Sequence, residues 1–180
     1  MKSIALAGAA AVGLILAPLP SFAQGMDGME MAVPSCTPMA APPATLSGWT
    51  VKAPITSADK PAGVAAAALT PGQGAIVTLH PTRSVSYVTQ PEKPGGSVAS
   101  GGLLSVVIAD TGTYQVSLSS GAWIDVLRDG KALISMAHSP GPACSGIRKT
   151  VQFALQPGSY VVQLSANAAP MIQVMVSKVQ

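Results

Sequence analysis

The stretch "GTYQVSLS" (residues 112–119) predicts the fold, because its Tyr, Val and Leu alternate with mostly polar residues. Successive side chains of a β-strand point to opposite faces, so this alternation is typical of a strand with one buried face. The stretch "GSYVVQLS" (158–165) repeats the pattern G-[ST]-Y-x-V-x-L-S. Two such strands, each preceded by a glycine turn, predict equivalent strands in two packed sheets.

Seven further runs of six or seven residues have the same aliphatic, aromatic and β-branched character, and Gly, Pro, Asn or Asp separates almost all of them. They are "AIVTLH" (75–80), "SVSYVT" (84–89), "LLSVVIA" (103–109), "AWIDVLR" (122–128), "KALISMA" (131–137), "TVQFAL" (150–155) and "MIQVMVS" (171–177). Short strands at this spacing predict an all-β fold, an antiparallel β-sandwich of jelly-roll type.

Two local signals add a hairpin and a short helix. Asp129-Gly130 lies between two apolar runs, which favours a type I′ turn, since both central residues of that turn need positive φ. The stretch "DKPAGVAAAAL" (59–69) predicts a helix with Asp59 near its N-cap and Pro61 in its first turn.

The first residues have the pattern of a secretory signal peptide. Lys2 gives a positive start, residues 4–17 are apolar, and Ser21-Phe22-Ala23 is a small-x-small cleavage site. We therefore expect a signal peptide over 1–23, a mature chain that begins at Gln24, and a periplasmic or secreted product.

The mature chain divides into an arm and one domain. Residues 24–47 are rich in Met, Pro and Ala without sustained periodicity, so we expect a flexible or extended arm, followed by a β-sandwich domain over 48–180. The net charge of +3 is weak and spread along the chain, which excludes a basic patch for nucleic acid. No later apolar run reaches the length of about 20 residues that a transmembrane helix needs.

The two cysteines, Cys36 and Cys144, are the candidates for a disulfide, because exported proteins fold in an oxidising compartment. Free thiols, an intermolecular bridge and a metal-binding pair are the alternatives. A bridge would join the arm to the loop "HSPGPACSGIRKT" (138–150), where Arg148 and Lys149 would solvate the start of a strand.

Two stretches carry a resemblance to known families. The strands that "DTGTY" (110–114) and "QPGSY" (156–160) introduce resemble those of bacterial jelly-roll modules, such as pre-peptidase C-terminal and carbohydrate-binding-like domains. The region from "AWIDVLRDGKAL" to "VVQLS" is similar to a group of small exported bacterial proteins of unassigned activity, some of which carry the label homogentisate 1,2-dioxygenase. The resemblance covers about residues 70–177 and implies the jelly-roll fold.

The dioxygenase label implies a non-haem iron site, which needs two His and one carboxylate. His80, His138 and Glu92 are the residues that would supply it. A different metal hypothesis rests on the arm, where Met26, Met29 and Met31 offer soft thioether ligands for copper.

The candidate ligand-binding residues are Trp123, Asp125, His138 and Arg148. If Ile124 faces the core, Trp123 and Asp125 share the outer face of their strand, where an indole could stack on a sugar or peptide. The other interpretation, which we favour from the sequence, is that Trp123 is a core residue packed beside the disulfide. The favoured function is a non-catalytic binding or accessory module of the bacterial envelope without a cofactor, its partner an envelope protein, peptide or glycan; an iron oxygenase and a copper-binding protein are the alternatives.

Overall fold

Alternating apolar residues build twelve β-strands in the part of the chain that the structure, a computed structural model, describes: residue 36 and residues 40–179. The strands are β1 (Ala53–Thr56), β2 (Ala68–Leu69), β3 (Gly74–Thr78), β4 (His80–Pro81), β5 (Ser100–Ile108), β6 (Gly112–Leu118), β7 (Trp123–Arg128), β8 (Lys131–Ala132), β9 (Ala137–Ser139), β10 (Lys149–Leu155), β11 (Gly158–Asn167) and β12 (Met171–Val179). Three 3₁₀ helices cover Ala44–Thr50, Pro61–Ala66 and Thr82–Ser84.

The strands form two sheets of a jelly roll. The first sheet has the order β1-β3-β12-β6-β10-β9, and the second has the order β2-β5-β11-β7-β8, with β4 paired to β5. From β5 to β7 and again from β10 to β12 the chain alternates between the sheets, as in a double Greek key. The predicted β-sandwich is confirmed; its long strands pair antiparallel, while β1 with β3 and β2 with β5 are short parallel pairs.

The two copies of the repeated pattern supply the centre of the core. Tyr114, Val116 and Leu118 of β6 are at most 5% exposed, and the equivalent side chains of β11 are at most 3% exposed. Both rows belong to one buried cluster between the sheets. The alternation that predicted one buried face per strand is therefore confirmed in both sheets.

The predicted hairpin joins β7 to β8. Arg128 pairs with Lys131, and Asp129 and Gly130 between them have φ angles of 51° and 75°. Positive φ at both central residues is the requirement of a type I′ turn, so this prediction is confirmed.

Two predicted strands are wrong in part or whole. Residues 84–89 form no strand: Ser84 ends the 3₁₀ helix Thr82–Ser84, and residues 85–89 are a loop. In this loop the Val88 N–H donates to a side chain, Gln163 Oε1, instead of to a neighbouring strand. The predicted strand 131–137 is divided between the two sheets. Lys131–Ala132 pair with β7 and Leu133 makes one further main-chain bond there, and the chain then crosses to the first sheet, where Ala137 begins β9.

The predicted helix over 59–69 is shorter and of a different type. A 3₁₀ helix covers Pro61–Ala66, with Lys60 rather than Asp59 at its N-cap. Ala68–Leu69 then adds β2 to the edge of the second sheet. The tertiary pairing of Leu69, which is buried, ends the helix early.

The disulfide Cys36–Cys144 is present, with the two Cα atoms 5.0 Å apart. Near it, the Ala40 N–H donates to the Cys144 carbonyl at 3.0 Å. The 3₁₀ helix Ala44–Thr50 then lays Leu46 and Trp49 in a second buried cluster with Ile147 and Met175. This cluster lies on the outer face of the first sheet, since the neighbours of Met175 in β12 face the main core.

The first four residues of that helix, 44–47, belong to the predicted arm. Leu46 is one of them and is buried, so this end of the predicted arm is packed on the sandwich. The predicted signal peptide and most of the predicted arm lie outside the described residues. Over the range that is described, no helix is long and apolar enough to cross a membrane.

Candidate functional site

A cavity of about 750 Å³ lies at the edge of the sandwich where the chain crosses from β8 to β9. We call it the Trp123 cavity. Four segments meet there: β7, the β8–β9 crossing, β10, and the loop 85–99 that lies on the second sheet. Its lining residues are Glu92, Lys93, Trp123, Ile124, Asp125, Ala132, Leu133, Ile134, Ser135, His138, Lys149, Val151 and Phe153.

Trp123 is half-buried on the outer face of β7, because Ile124 and Val126 take the core positions of that strand. Two ammonium groups approach its indole: Lys93 Nζ lies 5.0 Å from the ring centroid and Lys149 Nζ lies 5.4 Å from it. Both distances are within the range of a cation–π interaction. The indole is therefore flanked by positive charge.

The Asp125 carboxylate is held by two neutral donors. The Trp123 indole N–H donates to Asp125 Oδ1 at 2.9 Å, and the Gln163 amide donates to Oδ2 at 3.0 Å. Asp125 and Gln163 are direct partners in the pairing of β7 with β11. These bonds fix the carboxylate and the indole relative to each other.

Gln163 also attaches the loop 85–99 to the sheet. It is fully buried, its Oε1 accepts from the Val88 N–H at 3.0 Å, and its amide donates to the Thr89 carbonyl at 3.0 Å. Two residues along β11, the Ser165 hydroxyl donates to the main-chain carbonyl of Lys93 at 2.8 Å. These bonds, together with main-chain bonds elsewhere in the loop, hold the loop on the sheet, and the bond from Ser165 holds Lys93 beside the indole.

Lys149 enters the cavity from the other sheet. It is the first residue of β10 and lies in the same row as Val151 and Phe153, which face the interior. Its ammonium crosses the edge of the sandwich and donates to the Ala122 carbonyl at 2.9 Å. Burial lowers the pKa of Lys149, the charge of Lys93 lowers it further, and Asp125 acts in the opposite direction.

Most of the predicted ligand-binding residues lie together. Trp123, Asp125 and His138 line the cavity, and His138 is exposed on the edge strand β9. Arg148 does not line it: its side chain is exposed, and its main-chain N–H donates to the Leu118 carbonyl at 2.8 Å. Trp123 is not a core residue beside the disulfide; Trp49 is the tryptophan that packs with Ile147 of the disulfide loop.

The predicted iron ligands are not gathered into one site. Glu92 and His138 line the cavity, but His80 lies on β4, where its ring Nε2–H donates to the Ser57 carbonyl at 2.8 Å. Among residue 36 and residues 40–179, no three His, Cys, Asp or Glu residues lie close enough to hold a metal ion. The copper hypothesis rests on Met26, Met29 and Met31, which lie outside the described residues.

Three residues that the sequence analysis did not propose as ligand-binding residues complete the site: Lys93, Lys149 and Gln163. Lys149 had a signal, because it keeps the two-residue period of the buried positions in its strand. Lys93 and Gln163 had none, since their roles come from contacts between a loop and a strand about 70 residues further along the chain.

Comparison with known proteins adds little to the geometry. No family model and no curated protein matches this chain. A solved structure to which it is similar is a β-glucosidase from Paenibacillus barengoltzii, at 15% identity and a TM-score of 0.28. The match covers 69% of this chain and only 13% of the β-glucosidase chain. The fold and the cavity define this protein as an all-β sandwich with a charged, aromatic-lined cavity at its edge.

Proposed function

We propose that this protein is an exported, non-catalytic binding module of the bacterial envelope and that its ligand occupies the Trp123 cavity. The observation that carries the proposal is the way Trp123 is held. Its N–H is bound to Asp125, Asp125 is bound to the buried Gln163, and the ring still faces a cavity of about 750 Å³. Ligand sites of this volume combine apolar and aromatic walls with a few fixed polar groups.

Burying the Gln163 amide costs free energy unless each of its hydrogen bonds is made. A buried amide at this place therefore indicates a site that needs a rigid geometry. A preorganised indole loses little entropy when a ligand contacts it. The resemblance to carbohydrate-binding-like modules is consistent with this role. The iron-oxygenase and copper hypotheses gain no support from the described residues and are not proposed.

Titration of the purified protein with envelope peptides and glycans tests the site, with the two indole N–H signals followed by NMR. We expect a bound ligand to shift the signal of Trp123 and to leave that of Trp49 in place, because Trp49 is buried on the other sheet. Trp123→Phe assigns the signals. A ligand that binds this protein without affecting Trp123 would place the site elsewhere.

Export is a separate part of the proposal and has its own test. The intact mass of the periplasmic protein should correspond to a chain that begins at Gln24, because cleavage is expected after Ser21-Phe22-Ala23. Retention of Met1 in a membrane fraction would contradict export as a cleaved product.

A further inference from the structure

We propose that the Trp123 cavity selects ligands that carry a carboxylate, which binds between the ammonium groups of Lys93 and Lys149. This inference rests on the proposed function, because it names the chemistry of a ligand for the same cavity. It comes from the distribution of charge around the indole and not from the resemblance.

Neither ammonium group takes part in an ion pair with a described residue. In the part of the chain that the structure describes, the one salt bridge joins Arg128 to Asp129 on the exposed hairpin. Neither Lys93 nor Lys149 therefore has a carboxylate oxygen of a described residue within the distance of an ion pair. Both ammonium groups contact the indole, Lys149 also donates to the Ala122 carbonyl, and Asp125 acts on Lys149 through its charge from a greater distance.

The Asp125 carboxylate, which lies in the same site, is already hydrogen-bonded to groups other than the lysines. Both oxygens of Asp125 accept from neutral donors, the Trp123 indole and the Gln163 amide. Glu92 also lines the cavity, but it is exposed, so water and salt screen its charge. Of the two lysines, Lys149 is partly withdrawn from water, whereas Lys93 is exposed and its charge is screened like that of Glu92. The Asp125 carboxylate is already hydrogen-bonded to neutral donors.

The lysines also affect each other. Both lie within 5.4 Å of the same ring centroid, and the charge of Lys93 disfavours the charged form of Lys149. An anion between them would relieve this repulsion and would form charge-assisted hydrogen bonds, which are stronger than neutral ones. A neutral ligand would have to displace the ammonium groups from the indole without this compensation.

The remaining walls suit the body of such a ligand. Leu133, Val151 and Phe153 give the cavity an apolar side, and Ile134 at its rim is 93% exposed. The ligand class is therefore a carboxylate on an apolar or ring-shaped body. An aromatic acid and a uronic acid sugar share this chemistry.

Four probes separate these possibilities by NMR of the full-length mature protein: 3-phenylpropionate with its neutral match 3-phenylpropan-1-ol, and glucuronate with glucose. We expect at least one acid to shift the Trp123 indole signal at about tenfold lower concentration than its neutral match, the difference expected for one charge-assisted hydrogen bond. The acid that binds more tightly identifies the body, and added salt should weaken its binding.

Lys93→Gln should weaken binding of the acid by about tenfold, as should Lys149→Gln, while Lys178→Gln is the matched control and should leave it unchanged. Lys93 is exposed, so its variant should fold normally even if Lys149→Gln does not. Lys178 is an exposed lysine of β12, paired with Tyr114 at the far end of β6.

Equal binding of a neutral probe and its acid would overturn carboxylate selection and leave the cavity as a binding site. An acid that binds equally well to the Lys93→Gln protein would also overturn it. If none of the four probes shifts the Trp123 signal, the carboxylate inference is overturned, whereas the proposed function is decided by the wider set of peptides and glycans.

Discussion

At the start of β10, Lys149 occupies a position that its strand otherwise gives to Val151 and Phe153. Its aliphatic stem follows the apolar wall, and its ammonium reaches the Ala122 carbonyl on the other sheet. Burial and the charge of Lys93 together lower the pKa of Lys149 from its ordinary value of 10.5. The charged form is thus less favourable in the folded protein than in the unfolded chain.

This shift predicts a pH dependence of stability. Between the lowered pKa and 10.5 the unfolded chain binds more protons at Lys149 than the folded protein does, so the contribution of Lys149 to stability rises with pH in that window. Urea unfolding at a series of pH values should show the stability of the wild type increasing relative to Lys149→Gln as the pH rises toward 10.5.

Burial raises the pKa of Tyr87 in both proteins, so the effect of Tyr87 cancels when one free energy of unfolding is subtracted from the other. A difference between wild type and Lys149→Gln that stays constant with pH would contradict the assigned environment of Lys149.

Gly130 gives a second prediction for a single residue. Its φ of 75° is one that β-branched residues adopt only under strain, so Gly130→Val should lower the free energy of unfolding by about 1–3 kcal/mol. Gly130→Asn is the control and should cost less, because Asn tolerates the left-handed region. Equal melting temperatures for the Val and wild-type proteins would show that the turn relaxes to another form.

Between strands, the loop 85–99 has an unusual attachment for a segment with a strand-like sequence. Its Val88 N–H and Thr89 carbonyl bind the side chain of Gln163 instead of a neighbouring strand. One buried amide therefore takes the place of main-chain pairing, and it also orients Asp125. The loop and the cavity depend on the same residue.

Gln163→Leu should therefore destabilise the protein by about 1–3 kcal/mol, because it leaves buried polar groups of the loop without partners. Hydrogen exchange should show faster exchange of the Val88 amide. Gln152→Leu, at a partly exposed position of β10, should change stability by less than about 0.5 kcal/mol. If exchange at Val88 is unchanged in Gln163→Leu, the loop is held by other contacts.

The strands of the core could be predicted because each carries its own signal. Tyr114, Val116 and Leu118 alternate with polar residues, and Asp129-Gly130 marks its turn without reference to the rest of the chain. Residues 84–89 have a similar local pattern, but a distant side chain competes for their backbone, and no local rule includes that competition.

The site was predictable to a smaller extent. The period of β7 allowed Trp123 and Asp125 to share an outer face, and the structure places them there. The favoured interpretation, Trp123 as a core residue, is wrong. Arg148 and Lys149 are adjacent in the sequence and point in opposite directions. Predicting which of them faces the cavity therefore requires the start of the strand to be known to within one residue. Lys93 reaches the indole because a distant strand binds its loop through the Ser165 hydroxyl and the Ala166 N–H.

For the whole molecule, the disulfide is a covalent cross-link between the sandwich and the segment that precedes it, of which residue 36 and residues 40–50 are described. It closes a loop of 108 residues, for which the chain-entropy model gives about 4–5 kcal/mol. The segment also buries Leu46 and Trp49 against the first sheet. Covalent and apolar contacts therefore hold the same segment.

Reduction, or Cys144→Ser, should make this segment sensitive to chymotrypsin at Leu46 and Trp49 before the sandwich unfolds. The reason is that both sites are buried only while the segment lies on the sheet, whereas the sandwich core is made between strands. Mass spectrometry of the early fragments measures the order of cleavage.

Cys36→Ser is the control variant, since it breaks the same bridge from the other end and should give the same fragments. Equal cleavage rates for oxidised and reduced protein would contradict the prediction. Two titratable thiols in the native protein would contradict the disulfide itself.

The position of β12 governs when this molecule is able to fold. Met171–Val179 lies in the interior of the first sheet, with β3 on one side and β6 on the other. A growing polypeptide therefore cannot join β3 to β6 until residue 179 has been synthesised and released. Until then β3 and β6 have no strand between them, so the first sheet is completed only after the other described strands have been synthesised.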